Sequence, residues 1–275
     1  MFWGKDMSGI WPGNTKCMVM LTFDLDGVSA LLNRNPDAAD QPSVMSRNEL
    51  GLRVGARRII DLLDKYDVPA TFFVPGYTAE SNEKLVKDIH GRGIEIGAHG
   101  YLHEPPATLE PDEEERILDK AMGILEGITG DRVLGFRSPS LEASKHTLGF
   151  LTQRNFTYDS SLMGHDSPYF VDTPNGRIVE IPNDWAQGDA HYYAYNRTGG
   201  SMNTPQDVYK AWEMEFDGAY QYGSALIMNM HPHTTGRLAK MMVLEKLIKY
   251  IKGHSDVEFM RCIDVAKAWT DDGMA

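Results

Sequence analysis

Seven times along the chain a short apolar run of strand length is followed by a stretch of helical period, and this alternation constrains the fold more than any other feature. CMVMLTFDL (17–25) reads as a buried strand. SRNEL (46–50) carries a capping-box pair, Ser46 and Glu49, which predicts a helix running from there to about Tyr66. PATFFVP (69–75) is a second strand, 80–93 a helix with a glycine stop at Gly91, and IEIGAH (94–99) a third strand. A helix from about Pro111 places Ile117, Ala121, Ile124, Leu125 and Ile128 on one face and stops at Gly130. The alternation continues with strand 133–137, a helix from about Ala143, strand 156–159, helix 205–222, strand 224–230, helix 238–252, strand 257–261 and a last helix. Such βα order predicts an α/β fold, a parallel sheet with helices outside, and seven or eight units suffice to close a barrel. An open doubly wound sheet is the alternative, but no GxGxxG follows the first strand.

The 275 residues show no 20–50-residue repeat and no low-complexity linker, and we read 1–275 as one catalytic domain. Within it, 1–16 is an N-terminal arm and 160–205 a long irregular insertion, of the length that usually forms a lid or a subunit contact. A net charge of −12 disfavours nucleic acid and anionic lipid, which call for basic patches, and points to small or neutral substrates. No apolar run approaches the roughly 18 residues of a membrane span. The opening MFWGKDMSGIWPGNTK has no apolar core after a basic flank, so no signal peptide and a cytoplasmic location are expected. Cys17 and Cys262 form no CxxC framework and read as buried free thiols.

Polar residues collect where the strands end. The first strand stops at Asp24, Leu25, Asp26, and strand alternation turns both carboxylates one way and Leu25 the other. Two acids within ~6–7 Å raise each other's proton affinity unless a cation or a division of labour separates them. A DxD at a strand end is also common turn chemistry, with Gly27 completing it. The third strand ends at His99, and His103 follows one helical turn later; on a helix start the two imidazoles would share a face and could close on one ion. The competing reading is a surface pair. Arg137, Asp159 and His231 end three further strands, as catalytic groups or as structural ion pairs. The carboxyl edge of a parallel α/β barrel is where active sites assemble.

In order along the chain, TFDLDG (22–27), HGYLH (99–103), FRSPS (136–140), YDSSL (158–162) and MNMHPH (228–233) resemble the motifs of the polysaccharide deacetylase superfamily, the NodB-homology enzymes, across roughly 17–265. The resemblance implies a distorted (β/α) barrel of about seven parallel strands. It implies a zinc-dependent hydrolase of non-peptide C–N bonds, with another divalent metal an option, and Asp26, His99 and His103 as ligands. Asp24 would be the general base, oriented by Arg137, and His231 the acid, held and charged by Asp159. Pro139 falls in the RxPx-like motif and is expected beside the substrate. Leu25 between the aspartates and Gly100 after the first histidine depart from the usual pattern; they resemble the branch of intracellular deacetylase-like proteins, cyclic imide hydrolases and metal-independent allantoinases. That branch favours a small amide or cyclic imide as substrate and a homo-oligomer, a tetramer by resemblance; an N-acetylated sugar of peptidoglycan or chito-oligosaccharide type is the alternative.

Aromatic density in 160–205 suggests that this segment lines the pocket. Tyr169, Trp185, Tyr192, Tyr193 and Tyr195 could stack on a ring, with Asp184, Asp189 and His191 as polar contacts, or they could pack a loop or subunit seam. His233 and Glu104 are expected to support neighbouring motif residues or lie exposed. Two other classes stay open: an Fe(II) oxygenase, whose facial triad also takes two histidines and a carboxylate, and a silent binding protein on the same fold.

Overall fold

The computed structural model describes residues 11, 14–193 and 202–271. Most of the N-terminal arm, Tyr195 and the TGGS stretch lie outside them. Nine strands form one sheet: β1 (Cys17–Asp24), β2 (Ala70–Val74), β3 (Glu95–Ala98), β4 (Gly135–Phe136), β5 (Tyr158–Asp159), β6 (Tyr169–Thr173), β7 (Gly176–Glu180), β8 (Ala225–Met230) and β9 (Val257–Phe259). Their order is β6-β7-β5-β4-β3-β2-β1-β8, with β9 paired to the first residues of β1. Every pairing is parallel except β6 with β7. The sheet is a mostly parallel, distorted barrel. Among the described residues no strand pair joins β7 to β8; β8 is instead met by a Gly188–Asn229 bridge, by the Gln187 side chain accepting from Ile227 N (2.9 Å) and by Asp166 O accepting from Ala225 N (3.3 Å).

Strand alternation sorts the core into two layers. Along β1, Val19, Leu21 and Phe23 join the cluster packed under the helices, while Met18 and Met20 join a second cluster with Phe73, Tyr158, Val179, Ala225 and Ile227, floored by the helix Cys262–Asp271. Thr22 and Asp24 continue the inner row of β1. Thus the row that fills the barrel with methionine low down ends in a hydroxyl and a carboxylate at its carboxyl end. Both Cys17 and Cys262 are buried and free, as read from sequence.

Several local features depart from the sequence reading. The helix expected at Ser46 begins at Pro42, whose fixed φ suits a first turn, and Ser46 Oγ donates back to Ser43 O (3.1 Å) and caps nothing. It passes through a π turn, Gly51–Gly55, into the helix Ala56–Tyr66. The glycine matters there: a Cβ on Gly55 would lie 2.1 Å from Pro232 O, so only glycine lets this turn seat against the segment after β8. The helix expected from Ala143 starts at Thr147, behind a turn in which Ser144 Oγ accepts from His146 N (2.9 Å). The stretch 160–205 is not irregular throughout: it holds the β6–β7 hairpin, a 3₁₀ turn Trp185–Gln187 and a short helix Asp189–Tyr193. The hairpin signal, FVDTPNGRIVE with its Pro-Asn-Gly turn, was present in the sequence.

Candidate metal centre

Asp24, Asp26, His99, His103, Arg137 and His231 come together at the carboxyl ends of β1, β3, β4 and β8, and all but His231, which is partly exposed, are buried. His99 Nε2 stands 3.6 Å from Asp26 Oδ1 and His103 Nε2 3.7 Å from Asp26 Oδ2. One donor atom from each of the three lies within 4.8 Å of the others. Atoms bonded at about 2.0–2.1 Å to one tetrahedral ion stand about 3.4 Å apart, close to this spacing. Asp26 Oδ1 is buried and has no hydrogen-bond partner among the described residues, a costly arrangement for a carboxylate unless a cation meets it. Burial raises the affinity of Asp26 for a proton, with His231 and His99 opposing. Burial also pushes His99 and His103 down to about 4, so both imidazoles are neutral, the form that binds a metal. His99 Nδ1 pairs with Arg137 O (2.7 Å); an oxygen acceptor requires Nδ1 to carry the proton, which leaves the Nε2 lone pair facing Asp26. The donor set, its orphaned oxygen and its tautomer fit a divalent ion.

The two histidines do not converge by a helix. Residues 99–103 form a loop in which Gly100 (φ 66°) and His103 (φ 65°) take left-handed conformations, and the loop turns back on itself. Glu104 ties it down by accepting from Tyr101 N (3.1 Å) and Leu102 N (2.7 Å), and Asn33 Nδ2 donates to His103 O (3.0 Å). Pro139 is buried against Gly100, supporting this loop.

Arg137 is fully buried among inner-row groups. Its Nη1 donates to Asp24 Oδ1 (2.8 Å) and Thr22 Oγ1 (2.8 Å), and Nη2 and Nε donate to Ser160 Oγ (3.0 Å) and O (3.1 Å). Burial works against ionisation of Asp24, yet Arg137, His99 and His231 hold its carboxyl below the ordinary carboxylate range. Nothing in the sequence marks Thr22 and Ser160 for these contacts, because hydroxyl residues at strand ends carry no distinguishing pattern.

The partner of His231 is not Asp159. Asp189 Oδ1 accepts from His231 Nδ1 (2.7 Å), and Asp189 Oδ2 accepts from His231 N (2.9 Å) and Thr235 Oγ1 (2.7 Å). Asp189 is fully buried, so it is a support for His231 and not the substrate contact expected of it. Burial opposes protonation of His231, but Asp189 outweighs it and raises the imidazole to about 10. Asp159 instead accepts from Ser161 Oγ (2.8 Å) and N (3.2 Å) beside Glu180, where burial raises both carboxyls. A lone aspartate in a five-residue helix has no periodic signature, so no feature of the sequence marks Asp189 for this contact.

Of the other expected substrate contacts, Trp185 is 58% exposed and stacks on His191, with centroids 5.4 Å apart and planes at 23°. His191 shares its short helix with Asp189. Tyr169 sits on β6 opposite Glu180, close to Gly164. Tyr193 is buried, and Tyr192 packs edge-on against Trp212.

The chain is similar to known proteins in sequence and in fold. The family model for polysaccharide deacetylase matches residues 13–158. A peptidoglycan deacetylase of Helicobacter pylori is 29% identical, covering 90% of this chain and 94% of its own. A crystal structure of a Mycobacterium smegmatis protein assigned to the polysaccharide deacetylases is 34% identical with a TM-score of 0.90, covering 94% of this chain and 91% of that one. An allantoinase structure, 23% identical with a TM-score of 0.85 over the whole of both chains, shares the fold. With its motifs gathered at one barrel rim, a family model matching more than half its length and a fold shared end to end, the chain belongs to the polysaccharide deacetylase family.

Proposed function

We propose that the chain is a metal-dependent deacetylase of N-acetylated amino sugars of peptidoglycan type, releasing acetate and a free amine. The observation that carries the proposal is the pairing of two oppositely prepared groups across the Asp26–His99–His103 cluster. Asp24 is held ionised by Arg137, and His231 is held protonated by Asp189. When bound there, a divalent ion, which we take to be zinc, supplies Lewis acidity that lowers the pKa of water and polarises the acetyl carbonyl.

The chain's own groups do the proton work. Asp24 Oδ2, facing His99 and His231 at 4.0 Å each, takes the proton from the attacking water. Its other oxygen is fixed by Arg137, so it cannot rotate away from that water. His231 Nε2 then gives its proton to the departing nitrogen, while Nδ1 stays hydrogen-bonded to Asp189. Without that proton the amine anion would be the leaving group, and the tetrahedral species would revert.

A cyclic imide is the second reading, favoured by Leu25 between the aspartates and by Gly100 after His99. Both readings use the same base and acid and differ in product. Incubating the zinc-loaded protein with acetylated glucosamine oligomers, peptidoglycan fragments and succinimide separates them. Acetate release supports the deacetylase; ring opening without acetate replaces it with the imide hydrolase. No hydrolysis by metal-loaded protein, with an Asp24→Asn variant indistinguishable from the parent, leaves a binding protein.

A further inference from the structure

We infer that the seam between β7 and β8 holds a second binding site, a small acceptor-lined cavity that takes a primary ammonium such as that of an amino sugar. The cavity measures about 280 Å³ and is lined by His165 and Asp166 after β5, by Asn183, Asp184 and Gln187 after β7, and by Ile227 of β8. That is several times the ~30 Å³ share of one water and near the lower end of ligand pockets, the scale of a single sugar ring. None of Asp24, Asp26, His99, His103 and His231 lines it, so it is separate from the cluster described above. The two are nevertheless adjacent. Asn183 Nδ2 donates to Ser160 O (2.5 Å) and Oγ (3.0 Å), the same oxygens that accept from Arg137. Gln187 stands two residues before Asp189, the partner of His231.

The Asn183 amide fixes the kind of group that fits. A main-chain oxygen such as Ser160 O can only accept, so the branch of the amide facing it is Nδ2 and the other branch is Oδ1. Asn183 is 4% exposed, and its Oδ1 has no hydrogen-bond partner among the described residues. A buried acceptor on a cavity wall calls for a donor from the cavity. Asp166 and Asp184 favour a charged donor over a neutral one, because among the described residues no lysine or arginine lines the cavity to neutralise them. Glu215, on the helix Pro205–Tyr222, adds a third acid: Gln187 Nε2 donates to its Oε2 (3.4 Å), while Gln187 Oε1 accepts from Ile227 N (2.9 Å). Burial raises the Glu215 carboxyl, and Asp184 and Asp166 push it the same way against Gln187, as acids gathered around one space do. These acids do not make a metal site. Among the described residues only Asp26, His99 and His103 bring three donors near enough to share one ion. An ammonium suits the looser set, since its three N–H groups reach separate acceptors. His165 Nδ1 accepts from Ser167 N (3.0 Å), which leaves the ring hydrogen on Nε2, a donor suited to a hydroxyl of the same ligand.

The inference goes beyond the deacetylase reading and does not require it, although the amine that reaction releases belongs to this ligand class. Glucosamine and glucose test it directly, since they differ by an ammonium in place of one hydroxyl. Calorimetric titration at slightly acidic pH should show glucosamine binding at least about tenfold more tightly than glucose, with the preference shrinking at high salt. The affinity should be the same in zinc-loaded and metal-free protein, because the cavity shares no residue with the metal cluster. An Asp166→Asn/Asp184→Asn variant should bind glucosamine about tenfold more weakly while keeping its melting temperature and zinc content. Asparagine at 184 can still accept from Ala186 N, so the turn is preserved. Equal binding of the two sugars, no binding of either, binding that depends on zinc, or an unchanged affinity in the variant overturns the inference. Glucosamine binding with no acetate released from any acetylated sugar would leave this site standing and reject the deacetylase reading; acetate release without glucosamine binding would do the reverse.

Discussion

Replacing Asp189 by Asn tests how His231 is prepared for its task. The side chain keeps its size and one acceptor oxygen but loses the charge that three buried hydrogen bonds now share, at 2.7, 2.9 and 2.7 Å. With Asp189 present the imidazole is raised from 6.5 to about 10, against the opposing effect of burial. A group raised in this way is protonated through neutral pH and is lost as an acid only as pH climbs through the raised value. Without that charge only Asp26 and Asp24 still oppose burial, so His231 falls toward its ordinary 6.5, where at pH 7.5 about one molecule in ten carries the proton. That alone costs about tenfold in kcat, and an amide that can turn its NH₂ toward Nδ1 costs a further ten- to hundredfold through the wrong tautomer. We expect kcat to drop about 10²- to 10³-fold, and the alkaline limb of its pH profile to move toward neutrality. The assay is acetate release from the best fragment across pH, on protein of verified metal content. Asp159→Asn is the matched control: its carboxylate contacts Ser161 and Glu180, so that variant should melt earlier but keep the position of the alkaline limb. An Asp189→Asn enzyme with the parental limb, or an Asp159→Asn enzyme whose limb moves as far, would refute the reasoning.

Further expectations follow from other contacts. Truncating Arg137 to Met leaves Asp24 buried and unpaired, and should destabilise the fold by about 3–5 kcal/mol, read from urea midpoints. His99→Ala should lower zinc affinity at least tenfold in a competition titration with a chelating dye, and in the parent protein zinc removal should lower the melting temperature because the Asp26 carboxylate is again unmet. Glu180 is raised well above its ordinary range by burial and by Asp159, so its contribution to stability is present below the unfolded value and lost as pH rises through the folded one. The stability of the parent relative to Glu180→Gln should therefore fall as pH increases, and a flat difference across pH would contradict it. Gly55→Ala should lower both stability, by about 1–3 kcal/mol, and kcat, because its methyl group would meet Pro232 O and push on His231 from behind; unchanged kinetics would detach the π turn from the site.

The sequence by itself determined the class of fold and most of the cluster. Period-two and period-3.6 patterns are local, so seven strands and the main helices could be placed before any tertiary contact was known. Strand alternation also sufficed to turn Asp24 and Asp26 the same way, and the ends of β3, β4 and β8 marked His99, Arg137 and His231. The helix expected across His99–His103 failed for a local reason as well: Gly100 admits a left-handed backbone, and the imidazoles meet through a loop. What only the tertiary structure decided was partnership. Asp159 and Asp189 are both aspartates near the barrel rim, 30 positions apart in sequence, and nothing local says which one reaches His231. That choice depends on where the β6–β7 hairpin delivers the chain and how Gly188 bridges to Asn229, placing the next residue beside β8 while Asp159 stays against Glu180. Long-range pairing of this kind is set by packing and closure of the sheet, which act between residues distant in sequence and leave no periodic trace in it.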